Sequence, residues 1–98
     1  MASSESPQII SSEATVTTAG TAVALSSSRR VKSVTIRAKA TNTGQIYVGG
    51  SDVDSMVNDG LDASESVTFE TVGWMELADI YIDADTNGEG VDFYAVKA

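Results

Sequence analysis

Residues 31–49, VKSVTIRAKATNTGQIYVG, constrain this chain more than any other stretch. Val34, Ile36 and Ala38 alternate with Thr35, Arg37 and Lys39, the two-residue period of a strand with one buried face. Asn42, Thr43 and Gly44 then supply residues that tolerate positive φ, as a turn requires. Alternation resumes with Ile46 and Val48 set between Gln45 and Tyr47. The spacing predicts a hairpin with a loop of three to five residues, and with it an all-β domain.

The flanking sequence extends that reading. Residues 14–18 and 21–26 are short Thr- and Val-rich runs, with Val16, Val23 and Leu25 as inward candidates. Residues 50–64, GSDVDSMVNDGLDAS, lack clean alternation and read as a long loop with Met56, Val57 and Leu61 tucked beneath it. Residues 65–70 form the next strand with Val67 and Phe69 inward, and residues 71–77 carry Gly73 and the single tryptophan, Trp74. In residues 78–85, Ile80 and Ile82 face in while Asp79, Tyr81, Asp83 and Asp85 face out. Asn87, Gly88, Glu89 and Gly90 turn the chain into a last strand with Val91, Phe93 and Ala95 in phase. The expected architecture is a small β-sandwich of about seven to eight antiparallel strands, in jelly-roll-like or immunoglobulin-like order. Residues 1–13, Ser- and Glu-rich with the one proline at Pro7, read as an extended N-terminal arm preceding a sandwich domain at 14–98. Ile9 and Ile10 are its anchors, on its own domain or on a neighbouring subunit.

Composition removes much of chemistry. With 98 residues, no histidine and no cysteine, the chain has neither the commonest general base nor a disulfide framework or thiolate site. A serine nucleophile needs a positioned base, and no motif supplies one. Fourteen carboxylates always place some pair within glycosidase range, so that signal has no specificity, and no enzyme is expected. No apolar run approaches the roughly 20 residues of a membrane span, and the first ten residues lack the basic and apolar regions of a secretory signal. A soluble product made in a cytoplasm is expected, with no membrane partner.

Charge is unevenly distributed. Residues 1–49 hold two acids and five bases, and residues 50–98 hold twelve acids and one base, giving +3 and −11 within a net −8. Nucleic acid is a poor partner for this sign. The acidity fits a well-solvated surface, adaptation to high salt in a halophilic setting, or head-to-tail contact between a basic strand of one copy and acids of the next.

Three constellations are candidate sites. Asp83, Asp85, Asn87 and Gly88 match the opening of a calcium loop, D-x-D-x-N-G, which sets oxygens at alternate positions round a hard cation; Glu89 or Asp92 would have to complete it, since Tyr94 stands at the twelfth position. The alternative is a hairpin with acidic flanks. Asp52, Asp54 and Asp59 form a second, less regular acidic loop. Tyr47, Tyr81 and Tyr94 lie opposite the aliphatic phase of their strands, and Arg37 and Lys39 share that phase on the neighbouring strand. If those strands adjoin, they form one patch suited to a subunit or a glycan. Arg29 and Arg30 can grip a carboxylate-rich neighbour, and Trp74 is either a core lid or an interface anchor.

SVTIRAKATNTGQIYVGGSDVDS, then Gly60-Leu61 and ESVTFE, then LADIYIDADTNGEGVDFYAV, together resemble a pattern of small virion proteins from tailed phages and archaeal tailed viruses. The likeness covers residues 33–96 and departs from the pattern at Ser64, where the pattern has glycine. It implies a non-enzymatic structural protein on the virion, decorating or stabilising the capsid as a trimer or pentamer, or serving as a turret, head-fibre base or tail or head–tail accessory. It implies the major capsid protein and copies of this chain as partners, and no catalytic residues. A virion-surface module that binds calcium or host-surface glycans is the other reading.

Overall fold

Two antiparallel sheets face each other in the computed structural model, which describes residues 8–98. The strands are β1 (Ile9–Thr15), β2 (Val23–Ala24), β3 (Arg30–Ala38), β4 (Ile46–Gly49), β5 (Ser66–Glu76), β6 (Tyr81–Ala84) and β7 (Gly90–Lys97), with one turn of 3-10 helix at Leu77–Asp79. One sheet has the order β1-β7-β3-β5 and the other β2-β6-β4. Odd-numbered strands thus lie in the first sheet and even-numbered ones in the second, so every connection crosses between layers.

The pairings nest. β1 pairs with β7, β2 with β6 and β3 with β5, and β4 makes a single bridge from Ile46 to Leu61. This is one long hairpin rolled on itself, closed by β3 against β7 and β4 against β6. It is the strand order of a jelly roll in which the second sheet's fourth strand is reduced to Leu61. An immunoglobulin-like order pairs some consecutive strands within a sheet, and none pair here. The predicted hairpin is corrected accordingly: residues 31–38 and 46–49 are strands, but they lie in opposite layers, joined by residues 39–45.

The inward residues are largely the predicted ones. Val34, Ile36 and Ala38 on β3 sit beside Ala95, Phe93 and Val91 on β7, and beside Phe69 and Val67 on β5. Ile46, Ile82 and Ala84 close the core from the second sheet, with Val16, Leu25, Val31 and Leu77 filling its ends. β-branched side chains suit these pleated surfaces, and each fully buried aliphatic or aromatic side chain contributes about 1.5–3 kcal/mol.

Other expectations change. Residues 9–13, read as arm, belong to β1, an edge strand paired along its length with β7 of its own domain; residues 1–7 lie outside the described residues. Met56 and Val57 are exposed rather than tucked away, and only Leu61 packs on the core. β5 runs past residue 70 to Glu76. Between Val31 and Ser33 its partner positions jump from Met75 to Glu70, so Thr71, Val72, Gly73 and Trp74 bow out from the sheet edge. The turn before β5 places Ser64 at φ 73, the sole non-glycine residue of positive φ among those described.

Candidate functional site

Register divides the molecule into two ends. At one lie residues 16–22, 39–45 and 85–89, which join strands across the layers. At the other lie residues 25–29, the 3-10 turn, and Gln8 beside Lys97.

The first end holds the predicted calcium loop, and its oxygens are already engaged. Asp83 Oδ1 accepts from the backbone N–H groups of Gly20, at 2.9 Å, and Ala84, at 2.8 Å. Asp85 accepts from the Gln45 N–H and the Tyr47 hydroxyl. Asn87 accepts from the Ala19 N–H. Glu89 accepts from the Thr43 N–H, the Gly44 N–H and the Thr43 hydroxyl. The Gly44 amide first, and the Thr43 groups after it, hold the Glu89 carboxyl below the usual carboxylate range. Asp83, Asp85, Asn87 and Glu89 therefore reach out to two neighbouring loops rather than converge. Among the described residues no group of three or more acids could hold a metal ion. The alternate spacing that suits a cation here ties residues 16–22 and 39–45 to the connection between β6 and β7.

The tyrosine patch is also corrected. Tyr47 and Tyr81 lie on the second sheet, aligned with Asp83 and Gly49 across the β4–β6 pair. Tyr47 is buried, because Gly60 of the 50–64 segment lies against its ring. Burial, and then the bond to Asp85, push its phenol above the ordinary value. Asp83 is likewise buried and not outward-facing. Tyr94 stands exposed on the outer face of the first sheet, between Ser11 and Thr35. Arg37 and Lys39 share that face but are engaged locally. Arg37 donates to the Ser64 carbonyl, and Lys39 is paired with Glu13 and with Asp92 at 3.0 Å. Those two carboxylates, Glu13 first, raise the Lys39 pKa.

The second end gathers the other candidates. Arg30 lies over the Trp74 ring at 4.2 Å from its centroid, with Glu76 on the opposite strand at 3.8 Å. Such a stack holds a guanidinium flat on an aromatic face. Arg29, Arg30 and Lys97 line an open depression of about 470 Å³ together with Gln8, Ile10 and Ser28. Lys32 follows two residues along β3 from Arg30 and is exposed. Ile10 packs on the core, whereas Ile9 is 67% exposed, opposite Val96 on the outer face. Trp74 is 52% exposed and Val72 wholly so. Sequence reasoning named Ile9, Ile10, Arg29, Arg30 and Trp74 but missed Lys32, Lys97 and Val72. Only the pairing of β3 with β7 and the bulge in β5 bring those three here. Four of the six basic residues of an acidic chain thus meet exposed apolar side chains at one end.

No protein-family model, curated protein or solved structure matches this chain.

Proposed function

We propose that this chain is a non-enzymatic structural protein of a virion, a jelly-roll block that decorates or stabilises the capsid of a tailed virus as an oligomer. The observation that carries the reading is the basic end: Arg29, Arg30 and Lys97 around a shallow depression, Lys32 further along β3, and Trp74, Val72 and Ile9 exposed. Arginine and tryptophan are the residues that most often dominate protein contacts, and exposed apolar groups rimmed by charge mark such contacts. The resemblance over residues 33–96 supplies the virion setting. Fold alone does not supply function, so the surface and the resemblance support it together. In this reading the major capsid protein and copies of this chain are the partners, and the rolled sandwich is the rigid support.

The test is co-sedimentation of purified protein with capsids assembled without it, taken from the tailed virus whose genome carries this reading frame. Wild-type protein is expected to pellet with the capsids, and Trp74→Ala with Arg30→Ala to pellet much less. A wild-type protein that stays in the supernatant at every ratio would remove the reading.

A further inference from the structure

The segment between β4 and β5 looks like the complement of the basic end. It carries Asp52, Asp54, Asp59, Asp62 and Glu65 and no basic residue. Its apex is built rather than loose. Asp54 accepts from the Met56 N–H with its carboxylate, and from the Val57 and Asn58 N–H groups with its carbonyl, while Asn58 Oδ1 accepts from the Asp54 N–H. This interlocked turn holds Met56 and Val57 at 89% and 78% exposure. An isolated pair of apolar side chains so far out of the core has no use in folding. None of the ion pairs among the described residues joins an acid of residues 50–62 to Arg29, Arg30, Lys32 or Lys97.

We propose that the occupant of the basic end is the acidic, Met–Val-tipped segment 50–62 of a second copy of this chain. The proposal deepens the assembly reading above and rests on it. Met56 and Val57 would cover the apolar ground next to Trp74, and the aspartates would face Arg29, Lys32 and Lys97. Methionine adapts its shape to an aromatic neighbour, which suits a contact between unlike surfaces. Because the two surfaces are different parts of the chain, the contact either forms twice in a two-fold dimer or repeats from copy to copy into a ring or a row.

Sedimentation velocity on the full chain at low salt tests this, with the emission of Trp74, the chain's single tryptophan, as a local readout. Two variants reverse one surface each: Arg29→Glu with Lys32→Glu, and Asp52→Lys with Asp59→Lys. All four side chains are exposed, and none has a hydrogen bond or ion pair among those described. Circular dichroism and melting should therefore match wild type. Wild type is expected to associate, with Trp74 emission moving to shorter wavelength. Each variant alone should bind itself about a hundredfold more weakly, since like charges then face each other. An equimolar mixture of the two should re-associate, because each contact between unlike variants again pairs opposite signs. Wild type that remains monomeric, variants that associate as wild type does, or a mixture that fails to re-associate would overturn the proposal. Capsid binding without self-association removes this inference and leaves the capsid reading standing; loss of both removes the reading beneath it.

Discussion

Replacing Asp83 tests the physical account of the loop-bearing end. Its carboxylate is 4% exposed, the one buried charged side chain among the described residues. A single oxygen accepts from the Gly20 and Ala84 N–H groups at 2.9 and 2.8 Å. A bond to a charged acceptor contributes about 1.5–3 kcal/mol, and a buried donor left unpaired costs about 1–3 kcal/mol. The Ala84 amide is buried, whereas Gly20 is exposed and rehydrates. Removing the carboxylate also relieves its own desolvation. The net for Asp83→Ala is about 2–4 kcal/mol. Asp83→Asn keeps an acceptor of the same shape and should cost about 1 kcal/mol. A domain of this size holds roughly 5–15 kcal/mol in total, so the alanine variant should sit visibly close to unfolding. Urea unfolding followed by circular dichroism gives the stability. With a slope of about 1–1.5 kcal/mol/M, the alanine midpoint should fall by roughly 2 M. Hydrogen exchange at the Gly20 amide gives the local effect, and it should quicken more than exchange in β3. An alanine variant within about 0.5 kcal/mol of wild type, or an asparagine variant as damaged as the alanine one, would refute the assignment of this carboxylate as a loop tether.

Three further outcomes follow from described geometry. Ser64 sits at φ 73, where an L-residue loses about 1–2 kcal/mol; glycine recovers that less its extra unfolded-state entropy, so Ser64→Gly should stabilise by about 0.5–1 kcal/mol and raise the melting temperature by roughly 2–6 °C. Glu89 has its folded pKa depressed by the Gly44 and Thr43 donors, so its contribution is present above the unfolded carboxylate value and fades as pH falls through the folded one. Glu89→Gln should therefore be less stable than wild type at neutral pH, with the gap closing in acid, as read by unfolding at a series of pH values. Tyr47 is raised by burial and by Asp85, so its neutral phenol favours the fold at ordinary pH, and that contribution is lost as pH rises through its folded value. An absorbance titration should show one tyrosine ionising late, and Tyr47→Phe should abolish that step.

The strand inventory was legible because alternation is local. Val34, Ile36, Val91, Phe93 and Ala95 were found from period alone. Pairing was not legible, because a period says which face is buried and nothing about which strand lies alongside. Residues 39–45 have the composition of a hairpin turn, yet they span two layers. β1 escaped notice because its Ser-rich sequence earns its place through backbone bonds to β7, which any side chain permits. Tyr47 and Asp83 were placed outside because the cover over them comes from residues 60 and 20, remote in sequence. The D-x-D-x-N-G spacing fits cation ligation or an acidic-flanked hairpin, and the same oxygens satisfy amide donors equally well. Of the candidate contact surface, the arginine pair and Trp74 were visible as residue types. That Lys97 joins them was not, since only the β3–β7 register sets it there.

β7, the strand latest in the chain, lies between β1 and β3 rather than at a rim. A ribosome making this polypeptide therefore delivers both neighbours of β7 first and β7 itself at the end, so the larger layer cannot close progressively behind synthesis. Until residues 90–97 emerge, β1 and β3 both present unsatisfied backbone to the cell, and distant pairings of this kind form slowly. The surplus of carboxylates then has a use earlier than any contact of the folded protein: it keeps half-made copies apart while they wait for the strand that completes them.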